Sequence, residues 1–349
     1  MTDNNQTIPF IFDIHDDALA ARLQAALDNK TKPLGALGRL ETLALRIGLV
    51  LGSETPVLEA PQMLVCAADH GLAARGVSAF PSDVTWQMVE NFLAGGAAVS
   101  VLARQHGLAL TVVDCGVRRD FQARPGLVSR RIAAGTADAS VGPAMTQAQC
   151  MQAIANGREV VRALPGNALL LGEMGIGNSS AAALLLARLA GLDIDGCTGS
   201  GTGLDAAGLA RKREVLRDVL ALHAAANEPL DALAAFGGFE IATLVGAVLQ
   251  AAQERRVIVV DGFIASAAVL VAQALQPHVA QRCVAAHSSA EPGHALLLKH
   301  LGLEPLLNLD LRLGEGSGGA LAWPLLESAC RILREMASFE AAGVSRKDS

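Results

Sequence analysis

The 349 residues contain no tyrosine, and aromatic side chains of all kinds make up only 3% of them. Readers of RNA or single-stranded DNA need exposed rings for stacking and a basic surface; the net charge of −6 removes the second as well. The expectation is a small-molecule protein with no nucleic-acid partner, its core packed mostly from Ala, Leu and Val. Long apolar runs are also lacking. The longest, Ala181–Leu186 and Gly262–Ala272, fall short of the ~20 residues that span a bilayer, so no membrane association is expected. The opening MTDNNQTIPF is polar and lacks a basic flank followed by an apolar stretch, which points to a cytoplasmic protein. The six cysteines, Cys66, Cys115, Cys150, Cys197, Cys283 and Cys330, are far apart with no C-x-x-C pair. Zinc ligation and a disulfide frame are therefore not expected, and the thiols read as small buried apolar groups.

What is present is a change of pattern. Up to about residue 60 the chain reads as a helical hairpin, Asp16–Asp28 and Arg39–Leu49, interrupted by KTKPLGALG. From Pro61 apolar runs alternate with helical stretches, the signature of a parallel sheet covered on both faces. Strands are predicted at Met63–Ala67, Leu108–Val113, Ala168–Leu171, Arg256–Val260 and Arg282–Ala286, with a further one at Leu307-Asn308-Leu309-Asp310. Helices are predicted at Ser82–Gln105, weakened by Gly95-Gly96, and at Thr146–Leu164, Ala181–Ala190, Asp205–Ala224, Phe239–Ala252 and Ala320–Met336. Arg118–Asp138 reads as a polar loop.

At the centre stands ALLLGEMGIGNSSAAALLLARLA, a strand, a glycine-rich turn and a helix. Glycines admit a ligand close to the backbone, and the amides of a first helical turn favour an anion such as phosphate. The spacing matches neither G-x-G-x-x-G nor G-x-x-x-x-G-K-[ST], so neither a dinucleotide site nor a nucleotide triphosphatase follows from it. A turn with an Asn/Ser cap and no ligand would look the same. Five strands finish at or near an acid: Asp69, Asp114, Glu173, Asp261, and Asp310 with Glu315 beyond. In an open parallel sheet the crevice lies outside the carboxyl ends of the strands. Several carboxylates would meet there, suited to a ligand with a phosphate and a centre that is or becomes positive. Asp69 and Asp261, each followed by a near glycine, read as structural; Glu173 and Glu315, inside glycine-rich loops, are better candidates for chemistry. His70, His287 and His294 lack metal-ligand spacing. Lys212, within Arg211-Lys212-Arg213, reads as solvated surface by default.

Taken together, KPLGALGRLE, AADHGLAARGVSAFPSDVTWQMVENFLAGGAAVSVLAR, VVDCGV, GEMGIGNSSAAA, GTGLD, VDGFIASAA, AHSSAEPGH, LDLRLGEGSGGALA and EMASFEAAGVS resemble the nicotinate-nucleotide:dimethylbenzimidazole phosphoribosyltransferase family from about Lys32 to Ser345. The resemblance implies an α/β fold, a Rossmann-like parallel sheet flanked by helices, with a small helical domain from both chain ends (1–60 plus 320–349) and a large domain at 61–319. It also implies a homodimer and two small-molecule substrates, nicotinate mononucleotide and 5,6-dimethylbenzimidazole, joined as α-ribazole 5′-phosphate for the lower ligand of cobalamin. The family's catalytic base falls on Glu315, its second acid on Glu173 and its lysine on Lys212. The phosphate loop falls on Gly175, Ile176, Gly177, Asn178, Ser179 and Ser180, beside Gly201, Thr202 and Gly203. The base pocket falls on Phe80, Gln87 and Leu313, and Ser288 and Ser289 join the substrate-binding residues. No cofactor and no metal are implied.

On this reading Glu315, its pKa raised by its surroundings, takes the proton shed by the entering benzimidazole, while Glu173 stays ionised to offset charge building on the ribose. Ser180 and the amides of Gly175 to Ser179 hold the 5′-phosphate. Two alternatives stay open: another acceptor base, such as adenine, benzimidazole or a phenolic compound, and a carrier of base or nucleotide without turnover.

Overall fold

The computed structural model describes residues 8–345; positions 1–7 and 346–349 of the expected helical domain lie outside the described residues. In chain order the elements are α1 (Asp17–Asp28), α2 (Arg39–Leu51), β1 (Gln62–Ala68), α3 (Asp83–Ala94), α4 (Ala98–His106), β2 (Ala109–Gly116), β3 (Leu127–Ser129), α5 (Gln147–Ala163), β4 (Ala168–Met174), α6 (Asn178–Ala190), α7 (Ile194–Cys197) and α8 (Ala206–Leu222). There follow α9 (Pro229–Phe236), α10 (Phe239–Gln253), β5 (Val257–Val260), α11 (Phe263–Leu275), β6 (Cys283–Ala285), β7 (His287–Ser288), α12 (Pro292–Leu301), β8 (Leu307–Asn308), α13 (Ser317–Glu335) and α14 (Phe339–Ala342).

Six strands form one parallel sheet in the order β3-β2-β1-β4-β5-β6. The strand order reverses between β1 and β4, which opens a crevice above their carboxyl ends. Side chains of a strand alternate between faces, and β1 divides accordingly. Leu64, Cys66 and Ala68 enter a core with α5, α6 and α9 to α12, while Met63, Val65 and Ala67 enter one with α1 to α4 and α13. Both faces being buried, the strands read as near-continuous apolar runs, as in MLVCAA and ALLL.

The expected helix Ser82–Gln105 is two helices, because Gly95 takes φ +79 and ends α3 in a left-handed cap. The last strand is also placed differently. Leu307-Asn308 pairs with His287-Ser288 in a separate two-stranded sheet, so four rather than five main-sheet strands deliver an acid to the crevice. The chain ends meet through a bridge of Lys30 with Ser338 and a hydrogen bond from Lys30 Nζ to the Met336 carbonyl at 2.7 Å. There α13 packs on α2, and both contribute to the core of one sheet face. Among the described residues no helix is long and apolar enough to cross a membrane.

Candidate active site

The acids at the strand ends fall into two kinds. Asp114 accepts from the amides of Gly116 and Val117, and Asp69, beyond the end of β1, from that of Arg118, so both carboxylates fix the turn that follows β2. Asp261 also holds backbone, but across the site: Oδ2 accepts from Gly316 N at 3.1 Å and Oδ1 from Gly319 N at 2.9 Å. It therefore caps the start of α13 and ties down the loop that carries Glu315. Its Oδ1 lies 3.6 Å from His287 Nε2. Burial opposes a charge on that imidazole, but Asp261 beside it outweighs burial and the pKa is raised.

Glu173 and Glu315 remain free for chemistry. Glu173 closes β4 and is buried, with one oxygen accepting from Asn178 Nδ2. Burial, reinforced by Asp261, Glu240 and Glu315, pushes its pKa up to about 8 although the Asn178 bond opposes this. Glu315 takes φ +66, a left-handed conformation uncommon outside glycine. Its Oε2 is buried with no hydrogen-bond partner, and burial followed by the charge of Asp261 raises it to about 7. The two loops touch: a side chain at Gly172 would strike the Glu315 carbonyl, and one at Gly314 the Glu173 carboxylate.

Beside the acids is the glycine-rich turn expected to hold a phosphate. Gly175 to Ser179 form the turn into α6, where Gly177 takes φ +94. The side chain of Lys212 is wholly buried and donates from Nζ to Ser179 Oγ at 2.9 Å and to the Gly199 carbonyl at 3.1 Å. Burial brings its pKa down to about 8, against the pull of Glu291. One cavity is lined by Glu173, Gly175 to Ser179, Gly201, Thr202, His287, Ser289, Glu291 and the loop Arg312 to Gly314. A larger hollow of about 500 Å³ between α2 and the far side of β6 holds no buried acid and no glycine-rich turn: its one acid, Glu304, is exposed, and Arg39 and Arg46 donate to the carbonyls of Glu304 and Cys283.

A phosphoribosyltransferase family model matches residues 13–344. The chain belongs to this family. It is 96% identical over the full length of both chains to the nicotinate-nucleotide--dimethylbenzimidazole phosphoribosyltransferase of Variovorax paradoxus (strain S110). It is 62% identical to the protein of the same name from Cupriavidus necator, over 95% of this chain and 96% of the relative. The crystal structure of CobT from Thermus thermophilus superposes with a TM-score of 0.92 at 44% identity, covering 95% of this chain and all of that one.

In this phosphoribosyltransferase most of the expected residues come together, but not all. Glu173, Gly175, Ile176, Gly177, Asn178, Ser179, Gly201, Thr202, Ser289 and Leu313 line the cavity, and Glu315 follows directly on its wall at Gly314. Ser180 does not line it: as the third residue of α6 its side chain turns inward and is fully buried, whereas Ser179 reaches the cavity. Ser288 lies one step along β7 from His287 and faces away from the cavity. Gly203 is exposed beyond the wall. Gln87 is on the outer side of α3, since Thr85, Val89 and Phe92 take the inner one, and Phe80 stands 49% exposed on the loop before it. Lys212 corrects the default reading in the opposite direction, being buried rather than solvated. Its inward place was readable, because Lys212, Leu216 and Val219 share one face of α8 at spacings of four and three. Burial of Glu173 works against the expectation that it stays ionised, since it pushes the carboxyl up to about 8 in the protein alone. Three residues without an assigned chemical role belong to the site: Asp261, His287 and Glu291. The first two were visible as a strand-end acid and a loop histidine; nothing in the sequence marks Glu291.

Proposed function

We propose that this chain transfers the phosphoribosyl group of nicotinate mononucleotide to 5,6-dimethylbenzimidazole, giving nicotinate and α-ribazole 5′-phosphate for the lower ligand of cobalamin. The observation that supports it best is the meeting of Glu173, the amide-rich turn before α6 and the Glu315 loop at one cavity, in a chain 96% identical to a protein of that name. It acts as a homodimer in the cytoplasm.

The bond that breaks joins ribose C1′ to the pyridinium nitrogen, and its electron pair neutralises that nitrogen, so the leaving nicotinate requires no proton. The attacking benzimidazole nitrogen forms the new bond to C1′, and the proton on the other ring nitrogen passes to Glu315. A base raised to about 7 is poised for that transfer. The 5′-phosphate is held at the turn Gly175 to Ser179 by the amides left open there, those of Ile176 and Asn178 being already bonded to Thr85 Oγ1 and the Gly175 carbonyl, with Ser179 Oγ and Lys212 behind them. The positive ring of the substrate draws the proton off Glu173, and the resulting carboxylate stabilises the charge that grows on the ribose. Attack from the face opposite to departing nicotinate inverts C1′ from β to α.

The test is incubation of the purified chain with nicotinate mononucleotide and a panel of bases, reading product mass and anomeric configuration. Nicotinate release that depends on added dimethylbenzimidazole, with an α product, is expected. A β product, or release indifferent to the base, overturns the reading.

A further inference from the structure

Glu291 stands at the N-cap position of α12, yet its side chain makes no capping hydrogen bond. It is only 8% exposed, it lines the cavity, and its Oε2 is buried with no hydrogen-bond partner. Helix capping therefore does not account for this carboxylate. Its surroundings belong to the phosphate cradle. Gly199 is gripped from both sides: its carbonyl accepts from Lys212 Nζ at 3.1 Å, and a side chain on its Cα would strike Glu291 Oε2. Two residues on, a Cβ at Gly201 would lie 3.1 Å from Ser179 Oγ and 3.6 Å from Lys212 Nζ. An acid thus shares one short loop with the lysine and serine assigned to an incoming dianion.

We propose that Glu291 sets the affinity of the phosphate subsite: ionised, it competes with the 5′-phosphate for Lys212 and the Gly201 amide, and protonated, it donates a hydrogen bond to that phosphate. This rests on the phosphoribosyl reading above. Burial raises the Glu291 carboxyl above the usual range, while Lys212, the Gly201 amide and Arg312 draw it back down. Phosphate binding is therefore coupled to proton uptake at this side chain. The arrangement limits how tightly substrate and product are both held, and such uniform binding does not help turnover.

The experiment compares wild type with Glu291→Gln by titration calorimetry, using nicotinate mononucleotide and inorganic phosphate, from about pH 5.5 to 7.5. Lys212, Glu173, His287 and the phosphate itself titrate in both proteins, and the Arg312 side chain faces Glu291 in both, so the ratio of the two dissociation constants isolates Glu291. The variant should bind more tightly, with the ratio near one at low pH and rising toward about tenfold per pH unit once Glu291 ionises. Glu291→Asp, which withdraws the carboxylate by one carbon, should fall between them. A ratio that stays flat, or a variant that binds more weakly at every pH, overturns the proposal. Inorganic phosphate should displace nicotinate mononucleotide competitively from both proteins. If it does not, the phosphate subsite itself is misplaced, whereas competition with a flat ratio removes only the role of Glu291.

Discussion

Glu315 combines two features that cost free energy, a left-handed backbone and a buried carboxyl with an unpaired oxygen. Each is of the kind retained where it serves a reaction. If it is the proton acceptor, Glu315→Gln should lower kcat by about 10²–10⁴ while leaving KM for nicotinate mononucleotide nearly unchanged. In the wild type the rate should rise as pH passes through about 7, where Glu315 loses its proton, and that limb should vanish in the variant. Steady-state kinetics over pH with saturating base checks both; turnover near wild type would remove the role. Glu173 gives a second expectation. Raised from 4.5 to about 8, it holds in the folded state a proton that the unfolded chain releases, so it stabilises the fold at low pH and that contribution is lost as pH rises through this window. Thermal melts of the free enzyme should decline between pH 5 and 8, less steeply in Glu173→Gln. Compared with inorganic phosphate, which shares any proton uptake at Glu291, binding of the pyridinium substrate should release one more proton near neutral pH, seen in the difference between the two ligands' dependence of binding enthalpy on the buffer's ionisation enthalpy. No difference would mean that Glu173 stays neutral throughout.

At the scale of elements, the proposed base, Glu315, depends on how α13 begins. Asp261 reaches from the end of β5 to two amides just after Glu315, those of Gly316 and Gly319, and a side chain at Gly318 would strike both the His287 ring and the Asp261 carboxylate. Asp261→Asn removes the negative charge that raises Glu315, so the acidic limb of the rate profile should move to lower pH while kcat falls. A fall in kcat with the limb unmoved would leave Asp261 a purely structural cap. Away from the site, α5 and α10 pack backbone against backbone: a side chain at Gly157 would strike the Thr243 carbonyl, and one at Gly246 the Ile154 carbonyl. Gly246→Ala should cost about 1–3 kcal/mol of stability through overpacking, measured by denaturant titration, with the kcat of the folded protein unchanged. Neither closeness was legible in the sequence, because a helical glycine shows no partner until the fold supplies one. The apolar runs did give the cores of β1, β2, β4 and β5. β3 was hidden in an arginine-rich loop, being a three-residue strand with no period to read. α12 was missed because Pro292-Gly293 looks like a break, whereas proline at the first helical position is well tolerated.

For the whole molecule, the carboxyl ends of the strands bring charged groups to the cavity, but the apolar side of the proposed acceptor site is thinly covered by this chain. Leu313 lines the cavity and is 55% exposed; Phe80, two residues after the cavity residue Ser78, is 49% exposed. A bicyclic base resting on such residues would keep one face in water, which weakens the burial that should hold it. A second copy of the chain, as the proposed homodimer requires, would close that side. Sedimentation at micromolar concentration should then find a dimer, and specific activity should fall on dilution through its dissociation constant, with KM for dimethylbenzimidazole rising before that for nicotinate mononucleotide. The order matters, because the groups proposed for the phosphate all lie within one chain: Lys212 donates to Ser179 Oγ, and the turn before α6 lines the cavity. A monomer with undiminished affinity for the base would show that Leu313 and its own neighbours suffice.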